Sequence, residues 1–86
     1  MNTYKLIVST PDGNIFEDEV LSIIVRGTEG ELAVMAGHIP FITAVKPSEC
    51  KIELPDENVK TAVVGGGILT VQQDKTTLLC SDFKWN

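Results

Sequence analysis

The chain has 86 residues, 43% of them apolar, and a formal net charge of −5 from seven basic and twelve acidic side chains. That length fits one compact domain and leaves no room for a second core. The scattered Lys and Arg exclude the clustered positive charge that nucleic acids and anionic membrane surfaces require, and no apolar run approaches the roughly 20 residues of a bilayer span.

Met1 to Lys5 holds no apolar signal core and runs straight into a strand pattern, so a cytosolic product able to dock on a membrane complex is expected. From there, short runs of Val, Ile, Leu and Thr recur between Gly, Pro, Asn and Asp clusters at intervals of about 8–12 residues, the spacing of an all-β sandwich or barrel. No segment keeps a helical period. Tyr4 to Ser9 reads as the first strand, Pro11-Asp12-Gly13-Asn14 as a turn, and Ile15-Phe16 as the start of the return.

Val20 to Arg26 gives the steadiest strand signal, with Leu21, Ile23 and Val25 on one face and Ser22 opposite. Ile24 makes the second face partly apolar, which suits a central strand. Gly27 to Gly30 turns the chain, Glu31 to Met35 returns it, and Ala36-Gly37-His38 turns it again before Phe41 to Val45. Pro40 cannot donate to a ladder and belongs at a strand start or an edge.

After Lys46-Pro47-Ser48, the segment Cys50-Lys51-Ile52-Glu53-Leu54 alternates as a half-exposed strand, and Pro55-Asp56-Glu57-Asn58 closes a hairpin. Val59 to Val64, Ile68 to Gln72 and Thr77 to Ser81 supply three more strands. Cys50 and Cys80 lack the spacing of a zinc cluster or a redox pair and read as small buried hydrophobes.

Few residues invite a chemical reading. Gly65-Gly66-Gly67 lacks the Lys-Ser/Thr of a phosphate loop and is followed by a strand, so a bulge or tight crossing is expected. His38, the only histidine, has no serine in a strained elbow to activate and no second ligand at metal spacing. It reads as a turn residue or an interface contact. Glu29 and Glu31 flank Gly30 on a turn; exposed ion pairs contribute only about 0.2–1 kcal/mol each, so docking there needs apolar anchors. Ile39, Phe41 and Ile42 are the nearby candidates.

An ordered series remains: Phe16 and Val20, Gly27-Thr28-Glu29-Gly30-Glu31-Leu32, Gly37-His38-Ile39-Pro40, Thr43, Lys46-Pro47, and Gly66-Gly67-Ile68-Leu69-Thr70-Val71. In order and spacing it resembles the epsilon subunit of F-type rotary ATP synthases, called delta in mitochondria, from Tyr4 to about Asp82. The resemblance implies a flattened N-terminal β-sandwich of about ten short strands filling residues 1–86. It also implies a heteromeric complex at the cytoplasmic face of the cell's inner membrane. There the domain binds the gamma subunit, rests on the c-ring and turns with the rotor, helping to couple proton transport to ATP synthesis. No active site, cofactor or metal is implied.

Carried over by position, the c-ring contact falls on Glu29, Gly30, Glu31, Leu32 and His38, and the gamma contact on Ile39, Pro40, Phe41, Ile42 and Thr43. Ala33, Ala36 and Ser48 depart from residues that are often Gly, Pro and Gly in the family. Relatives usually continue into a helical hairpin that can inhibit hydrolysis or bind ATP; this sequence reaches Phe83-Lys84-Trp85-Asn86 without one, so coupling without hairpin inhibition is the expectation. A small β-sandwich module for another protein or a glycan is the alternative, and it predicts an aromatic-lined surface. Tyr4, Phe16, Phe41, Phe83 and Trp85 are instead dispersed along the chain.

Overall fold

Period-two alternation of apolar and polar residues is realised as strands throughout the computed structural model, which describes residues 2–86. In chain order the strands are β1 (Tyr4–Thr10), β2 (Gly13–Val20), β3 (Ser22–Gly27), β4 (Gly30–Met35), β5 (Phe41–Val45), β6 (Ser48–Glu53), β7 (Val59–Val64), β8 (Gly67–Val71), β9 (Lys75–Cys80) and β10 (Phe83–Trp85). No helix occurs among the described residues, and therefore none long and apolar enough to cross a membrane.

Strand boundaries differ from the sequence reading in instructive places. Val20 closes β2 and the chain bends at Leu21, whose N–H donates to the Glu53 carbonyl at 2.8 Å while Ser22 pairs with the same residue. This bend at Leu21 separates β2 from β3. Ser22 is itself buried, at 4% exposure, and its hydroxyl donates to the Glu53 carboxylate at 2.9 Å. Ser48 opens β6 instead of finishing a turn, and the three residues of β10 were not anticipated.

All ten strands belong to one sheet, ordered β10-β7-β6-β3-β5-β8-β9-β1-β2, with β4 attached to β3. Every pairing is antiparallel except β1 with β9, where Lys5 lies beside Lys75. Between β3 and β5 a single registered pair, Gly27 with Val45, joins the two halves, and the sheet folds over there into a nearly closed sandwich. The two ends of the sheet meet at a seam: Phe16 of β2 contacts Trp85 of β10 edge to face at 5.7 Å, and Trp85 contacts Phe83 at 4.8 Å. Lys60 extends its ammonium over the Trp85 ring at 4.9 Å.

Inward positions from both halves build the core. Leu6, Ile23, Ile52, Leu69 and Leu78 are fully buried, each stabilising the fold by about 1.5–3 kcal/mol relative to exposure. Cys50 and Cys80 lie among them as free thiols. Burial pushes the Cys50 thiol up to about 11 and also raises that of Cys80. Tyr4 packs against this core and donates its hydroxyl to the Val34 carbonyl at 2.7 Å. The glycine run is the tight crossing read from sequence: a Cβ on Gly67 would overlap the Leu79 carbonyl and lie 2.7 Å from the Cys80 Cα.

Candidate functional site

A two-residue turn, Thr28-Glu29, joins β3 to β4 and sets out the first group of candidate residues. Gly30 closes it with φ of +119°, a conformation that a side chain strains. Glu29 and Glu31 are exposed beside it, and Leu32 turns inward to pack against the core. At the other end of β4, Gly37 (φ +85°) lets the chain reverse, and the His38 N–H donates to the Met35 carbonyl at 3.3 Å. His38 is exposed, its ring 4.8 Å from that of Phe41, with Nδ1 2.9 Å from the Ile39 carbonyl.

The five candidate c-ring residues therefore do not form one cluster. Glu29, Gly30, Glu31 and Leu32 share one end of β4, whereas His38 lies at the far end, about 17 Å away over five strand steps, with Ile39 to Thr43. Those five candidate gamma residues also divide. Ile39 is 78% exposed and Ile42 70% exposed, with Pro40 exposed just ahead of β5. Phe41 is half-buried against the core and Thr43 is half-buried on the same side of the strand. Adjacent residues on a strand face opposite ways, so one segment cannot present all five.

Register then shows what accompanies Ile42. Ala44 lies beside Ile68, Ile68 beside Leu79 and Leu79 beside Ser9; in the neighbouring row Ile42, Thr70, Thr77 and Ile7 follow one another. Ile68 and Leu79 are about half exposed, at 49% and 52%. This outer face of β5, β8 and β9 carries aliphatic and hydroxyl side chains, and the only charged residue on the three strands is Lys75, at one end of β9. On the other half of the sheet, Arg26, Glu49, Lys51 and Lys84 stand exposed on β3, β6 and β10. Reading along the sequence missed Ile68 and Leu79; the signal that finds them is three strands almost free of charge in a chain with 22% charged residues.

No group of three or more potential metal-ligating side chains occurs among the described residues. A shallow hollow on the opposite half is lined by Val59, Lys60, Thr61, Trp85 and Asn86. Its aromatic wall is the seam itself: Trp85 is held by Phe16 and Phe83, and Asn86 by Glu49 and Thr61.

A chain of the Euglena gracilis mitochondrial ATP synthase, solved as OSCP, F1 and c-ring in rotational state 1, superposes with a TM-score of 0.91 at 22% identity, covering 96% of this chain and 53% of that one. A chain of the Tetrahymena thermophila mitochondrial ATP synthase central stalk and c-ring gives 0.81 at 18% identity, covering 95% and 66%. At these identities the likeness is one of fold. In sequence, the ATP synthase epsilon chain of Psychrobacter sp. (strain PRwf-1) is 38% identical over 79 residues, which is 92% of this chain and 57% of that relative. The chain thus spans little more than half the length of that curated relative. The profile of the ATP synthase delta/epsilon chain β-sandwich domain matches residues 3–86, and the chain belongs to that family.

Proposed function

We propose that residues 1–86 form the sandwich domain of a rotor subunit in an F-type ATP synthase, non-catalytic itself, placed between the gamma subunit and the c-ring. Its work is mechanical: it transmits rotation and helps couple proton transport to ATP synthesis from the cytoplasmic face of the membrane, without entering the bilayer. The observation that carries this reading is the outer face of β5, β8 and β9, where Ile42, Ile68 and Leu79 are exposed on strands with almost no charge. An apolar patch of this kind marks a protein interaction site. It suits gamma, with Ile39 and Pro40 extending the contact at one end and Phe41 and Thr43 supporting it from beneath.

The turn at Glu29, Gly30, Glu31 and Leu32 is the proposed c-ring contact, its two carboxylates complementary to basic or amide groups on a partner loop. The carried-over reading gives His38 to the c-ring contact; it is proposed here with the gamma contact because its ring lies against that of Phe41, tilted by 49° at 4.8 Å between centroids. A glycan-binding reading finds less support, since Phe16, Phe83 and Trp85 pack on one another at the seam. Disulfide crosslinking decides the matter: Ile42→Cys paired with cysteines on gamma, and Glu31→Cys paired with cysteines on the c-ring loops, in the assembled enzyme. Native Cys50 and Cys80 are buried and do not compete. Crosslinks from both positions are expected, and absence of both refutes the placement.

A further inference from the structure

Three strands have a neighbour on one side only: β2, β10 and β4. Two of these edges are guarded. β2 carries Glu17, Asp18 and Glu19 in succession, and the Asp18 carboxylate accepts from the Glu19 N–H at 2.8 Å. β10 is three residues long and meets β2 across the seam. Charged side chains and short length are the usual means by which an edge avoids adding a strand. β4 has six residues with a single charge, Glu31.

The backbone direction of β4 follows from its register. Gly27 pairs with Gly30 across a two-residue turn, which makes them a hydrogen-bonded pair, and alternation assigns the same role to Leu32 with Val25 and to Val34 with Ile23. The Arg26 carbonyl confirms the phase, since it points away from β4 and accepts from the Lys46 N–H at 2.9 Å. Glu31, Ala33 and Met35 consequently aim their N–H and C=O groups at the free edge. Of these, among the described residues, only the Met35 carbonyl is engaged, by the His38 N–H.

Resting on the stalk reading above, we infer that the free edge of β4 takes an extended segment of a partner polypeptide as an added strand. The chemistry of that segment is constrained on both faces. Inward, it meets half-buried Leu32 and buried Val34, which call for apolar residues. Outward, it meets Glu31, which makes no ion pair among the described residues and calls for Lys or Arg at that end, and then exposed Ala33 and Met35, which accept apolar or small side chains. A largely apolar extended segment with one basic residue at the Glu31 end satisfies both, with main-chain bonds supplying affinity and side chains supplying choice. Pairing with a second copy of this chain is disfavoured, because each copy brings Glu29 and Glu31 to the edge and a net charge of −5.

The test compares the isolated chain with the chain assembled on gamma and the c-ring, by backbone amide exchange resolved across residues 30–36. Slowing of the Glu31 and Ala33 amides by at least about 100-fold on assembly is expected, since an N–H in a ladder exchanges only on opening. Ala33→Pro removes one outward N–H without touching the β3 ladder and should weaken assembly at least about tenfold, whereas Ala33→Thr, which keeps that N–H, should not. Assembly with unchanged exchange at Glu31 and Ala33 overturns the added strand while leaving the stalk reading intact. Protection that appears in the isolated chain with rising concentration also overturns it, by assigning the edge to self-association. Failure of the chain to assemble with gamma at all refutes the stalk reading and this inference together.

Discussion

Truncation of the apolar outer face separates docking from folding. Ile42 is 70% exposed and Ile68 is 49% exposed. Full burial of such a side chain contributes about 1.5–3 kcal/mol, so covering the exposed fractions contributes about 1–2 kcal/mol at Ile42 and about 0.7–1.5 kcal/mol at Ile68. With the retained β-carbons discounted, the double variant Ile42→Ala, Ile68→Ala should bind gamma roughly 10- to 100-fold more weakly at about 1.4 kcal/mol per tenfold. Its own stability should fall by about 0.5 kcal/mol at Ile42 and about 1 kcal/mol at Ile68, from the fraction of each side chain already buried in the free domain. Leu69, adjacent to Ile68 but fully buried, is the control. Leu69→Ala should cost about 2–5 kcal/mol and lower Tm by at least about 8 °C. Calorimetric titration with gamma and thermal melts read the two quantities. A double variant that still folds and binds gamma within about twofold of the parent would refute the assignment of this face. One that melts like Leu69→Ala would show the two isoleucines to be core.

Other perturbations test the fold beneath the site. Gly67→Ala places a Cβ against the Leu79 carbonyl and should cost at least about 1–3 kcal/mol in urea unfolding; a loss under about 0.5 kcal/mol would contradict the close crossing. Burial raises the Cys50 thiol from 9.0 to about 11, so the folded state holds its proton longer than the unfolded chain does. Stability should therefore be full below about pH 9 and fall as pH rises toward about 11, and Cys50→Ala should flatten that decline. Trp85→Ala removes two ring contacts worth about 1–3 kcal/mol together, and amides of β2 and β10 should exchange faster before those of β8 do.

Much of this architecture was legible because alternation is a local signal. Cys50-Lys51-Ile52-Glu53 reads as a half-exposed strand and is one, with Cys50 and Ile52 buried. Pro55 to Asn58 reads as a hairpin loop and closes β6 onto β7. β10 was illegible because three residues, two of them aromatic, carry too little period to register against the preceding turn. The proposed docking face was legible only in part. Ile39 to Thr43 stand together in sequence, yet strand geometry sends Phe41 inward and Ile42 outward. Ile42 is joined by Ile68 and Leu79 only because the sheet sets β5, β8 and β9 side by side, and that order is not sequential. The same is true of β4, whose free edge is a property of what fails to pair with it.

Parallel pairing of β1 with β9 has a kinetic consequence. Lys5 and Lys75 are neighbours in space but 70 positions apart in the chain, so closing the sheet at β1 depends on contacts of very high sequence separation. Such topologies close slowly, on the millisecond to second scale, because loop entropy is lost before pairing offsets it. During synthesis at about 5–20 residues per second, β1 waits roughly 4–14 s for its parallel partner to be made. Through that interval one edge of the β1–β2 hairpin is open to any extended chain nearby. A domain of this topology is thus most exposed to misassembly while it is still being made.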